Sequence, residues 1–482
     1  LVLVALKLGY NISLWHPLAE YPGPLLWRAT RLMTSFHKTK GDFHKHIAAI
    51  HEEYGPTVRI APDELSFTSP GAWPQIYSSR PQLQRSNFQS GLLKLPKSMI
   101  ETPDAEHMRL RRLAAPAFLN SGVKEMETVL QRYTDTLCSQ LAKRSGAPLN
   151  LVDWFRLALS DVIGQLALGQ EFRCLELGRM HPWPRLLLKG TKQSAAFIEF
   201  RRFGLSPQVL QRLAPRSVIT ELNNWFNLAA TAVDQRIKQE SLAEPKHEQH
   251  RDIIGLMLRE MKSGDRLTRE EILSNSILIV AAGGETTSTC LSATIYHLCK
   301  TPRVMRTLTT EIRQTFGSNT DITLKALMNL PYLNATIDES LRIFPVAGII
   351  APRMTPAEGH VIDGKVVPGR TYVSMTQWFM GRSERFFPTA HEFRPERWLG
   401  TASDTGDRPR LENTMRPFSL GPRNCLGKLF ALAEIRLVLA KLLWHFDVEL
   451  DGDHATWVED ARFFMLWQLQ ALKVKLTPTT SE

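Results

Sequence analysis

The sequence predicts a mainly α-helical chain with a small β region, folded as one large domain. Three observations carry that expectation. Long stretches with helical spacing fill most of the chain, among them Lys124 to Arg144, Asn150 to Leu168 and Arg216 to Gln239. One pattern of over 30 residues runs without proline up to Thr301-Pro302. Strand-like text is confined to two short patches. The 482 residues are 43% hydrophobic and 22% charged, a globular balance that excludes disorder, collagen and coiled coil as the main state. No internal repeat is present, which excludes solenoids and propellers. No Gly/Ser-rich linker marks a domain boundary.

The elements follow in order. Leu1 to Leu6 is apolar until Lys7 interrupts it, and a spanning helix needs about 20 apolar residues. The chain starts at Leu, so residues 1–16 are expected to be the remnant of a longer N-terminal membrane anchor; the alternative is a short buried segment. His16 to Pro24 carries three prolines and reads as a stiff connector, placed at residues 17–26, leading into a single body over 27–482. Thr57 to Ala61 and Leu65 to Thr68 are strand candidates around the turn formers Pro62-Asp63. A second β patch covers His360 to Met375, broken at Asp363-Gly364 and Pro368-Gly369. Lys238 to Arg251 is polar and expected to be a loop.

The net charge of +11 points to an acidic partner, an anionic membrane surface or nucleic acid. No basic stripe with interleaved aromatics accompanies it, so nucleic acid is not expected. Five cysteines with no C-x-x-C pair exclude a zinc ribbon and a thioredoxin-type motif. Their sparse, odd count argues for a reducing compartment.

The long helical pattern opens on Thr268-Arg269-Glu270-Glu271, a capping box. Its length corresponds to roughly 48 Å at 1.5 Å per residue, enough to cross the body. Its middle is Ala281-Ala282-Gly283-Gly284-Glu285-Thr286-Thr287. Each glycine costs about 1 kcal/mol relative to alanine. A close helix crossing explains the glycines but not the acid. A carboxyl and a hydroxyl in an apolar stretch, Glu285 and Thr286, are candidates for proton transfer.

Near the C-terminus stands Phe418-Ser419-Leu420-Gly421-Pro422-Arg423-Asn424-Cys425-Leu426-Gly427, followed by a helical run from Lys428 to His445. The helix dipole and Arg423 favour a Cys425 thiolate. Gly421 permits a sharp turn, Gly427 permits close approach of a flat group, and Phe418 shields the sulfur. A lone cysteine is ordinarily a small buried hydrophobe. The two glycines and the arginine favour a metal-bound thiolate instead.

This run resembles the haem-thiolate signature of the cytochrome P-450 superfamily, with every fixed position present. Ala282 to Thr287 resembles that family's oxygen-binding helix motif, and Glu339-Ser340-Leu341-Arg342 its E-x-x-R motif. Phe393 to Trp398 resembles its P-E-R-F region, with Trp398 in place of Phe. The early text, Tyr21 to Pro24 and His51 to Phe67, looks most like fungal microsomal members of secondary metabolism. The resemblance implies the cytochrome P-450 fold, with the long central helix crossing a haem b whose iron is held by Cys425.

Glu339 and Arg342 share a helix face by spacing, and their apolar flanks make burial plausible. The resemblance adds Arg397 as the group that completes a buried pair and braces the loop leading to Cys425. It also points to Arg353, Arg423, His107 and Arg111 for the haem propionates, with His107 departing from the usual Trp. Arg109, Arg112 and Lys428 remain for a basic docking patch. It places Ile279, Val346 to Ile350 (Val346, Ile349 and Ile350 in particular), Phe463, Phe464 and Met465 around a largely apolar substrate.

The function so implied is a monooxygenase that oxidises a largely apolar small molecule, a polyketide, terpenoid or alkaloid intermediate, with O2. No flavin fingerprint follows Cys425, so electrons are expected from a separate NADPH–cytochrome P-450 reductase at the endoplasmic reticulum membrane, with the catalytic body on the cytoplasmic side. The alternatives are oxidative coupling, ring closure or desaturation on the same haem and, from another class, a haem sensor or electron carrier.

Overall fold

A computed structural model describes residues 1–85, 97–242, 252–258, 264–400 and 412–479. The central helix spans Arg269–Lys300. Its capping box forms as expected: Thr268 Oγ1 accepts from the Glu271 amide at 3.2 Å, and Glu271 Oε2 accepts from the Thr268 amide at 2.8 Å. The helix packs along Leu151–Leu168 and against Pro331–Ile343 and Lys428–His445. Gly283 allows the first of these crossings, because a Cβ there would sit 2.8 Å from Ile163 Cδ1. Gly284 meets nothing that close.

Both early strand patches feed one sheet. Its order is Thr57–Ala61, Glu64–Phe67, Tyr372–Met375, Arg353–Met354 and Gln84–Arg85. The Glu64 and Tyr372 strands run parallel, and the other pairs are antiparallel. His360–Ile362 and Lys365–Val367 form a hairpin across Asp363-Gly364. More β structure lies near the C-terminus than the sequence predicted. Phe446–Leu450, Lys473–Pro478 and Leu149–Asn150 make a three-stranded sheet, and Arg462–Phe464 pairs with Leu466–Gln468. Lys473–Pro478 buries alternate residues, a two-residue period typical of a half-exposed strand.

Three expectations are corrected. The predicted helix over Lys124 to Arg144 is two, Asn120–Glu125 and Glu127–Ala142, jointed at the fully buried Met126. Lys238 to Leu242 is helical, as the end of Arg216–Leu242, because its polar residues are helix-compatible; 243–251 lie outside the described residues. The connector is no free spacer. Leu18 and Tyr21 are buried, and the Arg59 amide donates to Pro22 O at 2.7 Å, which docks the prolines on the first strand. Leu25 and Leu26 already belong to the helix Leu25–Ala29.

The N-terminal helix Val2–Ile12 continues through Lys7, and its leucines and valines are exposed, so the buried-segment alternative fails. No helix among the described residues is long and apolar enough to cross a membrane.

Candidate active site

The loop before Lys428–His445 is held in a strained but over-determined shape. Ser419 and Gly421 adopt φ of 61° and 75°. A side chain at Gly421 would run into the Tyr77 carbonyl, so only glycine fits. The Cys425 amide donates to Phe418 O at 2.9 Å, and Asn424 N donates to Gly421 O at 3.0 Å. Arg111, on the helix Asp104–Ala114, grips the loop from outside, donating to Asn424 O at 2.6 Å and Asn424 Oδ1 at 2.5 Å. Gly427 stands at the N-cap of Lys428–His445, with open space where a Cβ would lie.

Cys425 is the one exposed cysteine of the five, all of which are free. It is reachable by solvent yet deep-set. Burial pushes its thiol above the ordinary range, while the Gly427 backbone, Arg111 and Lys428 pull the other way. Arg423 does not act on the sulfur as the sequence predicted. It turns aside, with Nε and Nη2 on Asp104 Oδ1 at 3.1 and 2.8 Å and Nη2 on Thr102 O at 2.7 Å.

Beside this loop lies a cluster of cations, two with buried guanidiniums and one, Arg85, half-buried. Arg353 and Arg85 face each other directly across the antiparallel pair, an arrangement that ordinarily destabilises a sheet. Arg353 is buried against the Tyr77 ring, 4.9 Å from its centroid. Burial lowers its pKa, and Arg423 adds to this. Burial, Arg353 and Arg423 together push Arg85 down to about 10. Arg423 Nη1 is buried with no hydrogen-bond partner among the described residues. Three guanidiniums thus crowd together with Asp104 as the acid in direct contact. Such a cluster is completed by an anion from outside.

His107 and Arg111 stand next to that cluster, with Arg423 and Arg111 both acting on the His107 imidazole. His107 Nδ1 lies 2.8 Å from Met99 O and Nε2 3.3 Å from Pro422 O, so both nitrogens face carbonyls. Burial keeps this imidazole's pKa low. Both residues hold the Cys425 loop. Arg85 went unnoticed in the sequence, since its place depends on pairing with a strand over 250 residues away.

On the central helix, Glu285 is buried and receives Arg156 from Leu151–Leu168. Arg156 Nε reaches the two carboxylate oxygens at 3.1 and 2.9 Å, and Nη2 reaches Oε1 at 2.5 Å. Burial still raises the Glu285 pKa, with Arg156 opposing. The pair lines a small recess with Ser160, Ile163, Met180 and Val280. Thr286 is partly exposed, and its Oγ1 donates to Ala282 O at 2.6 Å. Glu285 and Thr286 are adjacent in sequence but engage different partners. A second acid was overlooked. Glu434 is buried, its pKa is raised well above the ordinary value by burial, and its hydroxyl partner is Thr287 at 3.3 Å. The signal was a lone acid in the apolar run Leu429 to Leu443.

Glu339 and Arg342 are completely buried and make a two-pronged pair at 2.8 Å. Arg397 Nε joins Glu339 Oε1 at 3.0 Å, the Arg394 amide adds 2.8 Å, and Trp398 Nε1 donates to Oε2 at 2.9 Å. Trp398 in place of phenylalanine therefore supplies a hydrogen bond that phenylalanine cannot. Arg342 also donates to the carbonyls of Gly381, Ala390 and Glu392. Burial would raise the Glu339 pKa, but Arg342 and Arg397 hold it below the usual value.

The expected pocket residues are apolar and sit in the interior, spread over three neighbouring apolar clusters. Ile279 and Val346 lie with the main core, Ile350 with a second cluster around Phe67 and Trp73, and Ile349 with a third around Trp27 and Phe43. Phe464 is buried, with its ring over Gly41. Met465 is exposed. The basic docking patch is also reduced. Arg109 pairs with Glu106, Asp265 and Glu271, and Arg112 pairs with Asp265 at 3.1 Å. Lys428 stays exposed, over the Phe418 ring.

A long helix bearing a buried acid, and an exposed cysteine in a glycine-framed loop ahead of a helix, are the arrangement that the resemblance to a haem-thiolate class implies. The family model for cytochrome P-450 matches residues 20–476, and the chain belongs to that family. It is 35% identical to the cytochrome P-450 monooxygenase tpeC of Talaromyces stipitatus, over 99% of this chain and 93% of that one. It is 35% identical to the averantin hydroxylase of Aspergillus parasiticus, over 96% and 93%. It is 33% identical to the trichothecene C-15 hydroxylase of Fusarium sporotrichioides, over 97% and 94%. The chain is thus an oxidoreductase of the monooxygenase type, using a haem-thiolate iron, a small-molecule substrate, O2 and a redox partner. The residues fit the cofactor: Cys425 offers the sulfur, and Arg85, Arg353 and Arg423 bring three guanidiniums together with a buried Arg423 donor left without a hydrogen-bond partner among the described residues.

Proposed function

We propose that the chain hydroxylates a largely apolar polyketide, terpenoid or alkaloid intermediate of fungal secondary metabolism. Its haem is haem b, and its electrons come from NADPH through a separate NADPH–cytochrome P-450 reductase. The observation that carries this reading is the accessible Cys425 thiol beside three close guanidiniums, of which Arg423 keeps a buried Nη1 without a hydrogen-bond partner among the described residues. Two of the named relatives are hydroxylases, which favours hydroxylation over coupling, ring closure or desaturation. The exposed apolar helix Val2–Ile12 supports an N-terminal membrane attachment at the endoplasmic reticulum, with the body on the cytoplasmic side.

When bound, the haem supplies oxygen activation, with a thiolate ligand favouring O–O cleavage. The chain's own residues do the rest. Arg111 and Lys428 supply positive charge at the Cys425 sulfur, and Arg111 fixes the loop. Arg85, Arg353 and Arg423, with His107 and Arg111 beside them, would hold the two propionates. Glu285, its pKa raised by burial, takes and releases protons, and Arg156 sets its orientation. Thr286 donates its proton to Ala282 O, which leaves the hydroxyl oxygen free to accept one. The aliphatic side chains Ile279, Val346, Ile349 and Ile350, with Phe464, select an apolar substrate.

The test is turnover with reductase, NADPH and isotopically labelled dioxygen. One labelled oxygen per product supports hydroxylation. Product without label supports the coupling or desaturation alternative, and absence of NADPH consumption with any offered apolar substrate contradicts both. Thr286→Ala is expected to bind haem and substrate and to consume NADPH, while releasing more peroxide and less product. An unchanged peroxide-to-product ratio removes Thr286 from proton transfer.

A further inference from the structure

We propose that His37, Asp42 and His46 form a divalent transition-metal site of the zinc class, separate from the haem site. The helices Leu32–Lys40 and Phe43–Tyr54 are joined at Gly41, whose φ of 81° reverses the chain. The reversal brings the last turn of one helix against the first turn of the next. One nitrogen from each histidine and one Asp42 oxygen then lie within 4.8 Å of one another. His37 Nδ1 is 2.8 Å from Asp42 Oδ1, and His46 Nε2 is 3.7 Å from Asp42 Oδ2.

Three features separate this from an accidental cluster. First, Asp42 occupies an N-cap position, where a carboxylate ordinarily accepts from the helix amides, yet it makes no capping hydrogen bond. Its Oδ1 faces the His37 imidazole at 2.8 Å, and its Oδ2 lies between Lys40 Nζ at 2.9 Å and His46 Nε2 at 3.7 Å. Second, His37 and Asp42 are buried, and Trp27 stacks on the His37 ring at 5.6 Å and 4°, so two of the three ligands are already held. Third, the His46 side chain is 46% exposed and leaves a path for an ion and its remaining water. Two imidazoles and one carboxylate suit zinc and its neighbours, whereas calcium and magnesium take oxygen ligands.

The competing arrangement is a hydrogen-bonded staple with Lys40 as counter-charge, since its Nζ lies 2.9 Å from Asp42 Oδ2. The two arrangements make opposite predictions for Lys40. An ammonium on the shared carboxylate competes with a metal ion, so its removal strengthens metal binding and weakens a staple. Occupancy would also stiffen a turn that meets the strand Arg462–Phe464, since Phe463 N donates to Gly41 O at 2.8 Å and Phe464 packs on Gly41.

The test is calorimetric titration of Zn2+ into untagged, haem-loaded protein, with Co2+ absorption as a second readout. Haem loading keeps the Cys425 sulfur out of the measurement. Wild type is expected to bind one ion. His46→Ala and His46→Gln, at a half-exposed position, are expected to weaken binding at least about tenfold. Lys40→Met is expected to tighten it. Melting in the presence of chelator checks that each variant is folded, and Zn2+ is expected to raise the melting temperature of wild type and Lys40→Met but not of the His46 variants. Failure of wild type to bind Zn2+, unchanged affinity in both His46 variants, or no tightening in Lys40→Met overturns the assignment.

Discussion

Two charged regions of the interior, around Glu339 and around Arg353, are built on opposite principles. Around Glu339, the carboxylate receives Arg342, Arg397, Trp398 and a backbone amide, and Arg342 spends its remaining donors on carbonyls. Every charge there is answered within the chain. Around Arg353, two arginines oppose each other across a sheet and a third leaves a donor unused. The first region is a finished strut, which a buried ion pair becomes only when further hydrogen bonds complete it. The second leaves a donor unused as protein, and under the proposed function a dianionic cofactor edge would complete it. Buried charge serves stability in one and recognition in the other.

Substitutions break the comparison in a defined order. Glu339→Ala leaves two buried guanidiniums facing each other and is expected to cost about 3–5 kcal/mol, seen as collapse of soluble yield and haem content together. A stable, haem-replete variant would reduce the strut to an ordinary bridge. Arg353→Met is expected to behave differently. Removing one of two opposed cations leaves urea stability of the haem-free chain equal or higher, while haem retention through gel filtration falls. Destabilisation as large as that of Glu339→Ala would erase the distinction between the two regions.

Trp398→Phe sharpens the comparison on the strut side. It removes one hydrogen bond to a charged acceptor, a loss of about 1.5–3 kcal/mol in urea unfolding, with haem spectra unchanged. A neutral effect would show that Glu339 does not use the indole.

Glu434→Gln is the smallest effect and depends on pH. The native Glu434 pKa is raised above its unfolded value, so the native state holds a proton that the unfolded state has released. Stability therefore falls as pH rises from about 4.5 towards the native value. Glutamine removes that slope, so the variant gains relative to wild type at pH 8 compared with pH 5. Equal differences at both pH values would mean that Glu434 is ionised in the native state.

What was legible in the sequence is what local geometry dictates. Gly421 and Cys425 could be read because a positive-φ turn and a sulfur before a helix are properties of ten consecutive residues. Glu339 and Arg342 could be read because i,i+3 spacing puts them on one face. The partners supplied by tertiary packing were hidden. Arg156 reaches Glu285 from 129 residues away, and Arg85 meets Arg353 through a two-residue strand. The same blindness produced the overstated docking patch, since net charge does not reveal that Asp265 and Glu271 neutralise Arg109.

The central claim is that Cys425 is the sulfur on the haem iron. The measurement that tests it most directly is the reduced carbon monoxide spectrum of purified wild type beside Cys425→His. Wild type is expected to show the thiolate-ligated band, and Cys425→His to retain some haem with that band lost. A Cys425→His spectrum identical to wild type, or a wild-type spectrum of the histidine-ligated kind, would contradict the account.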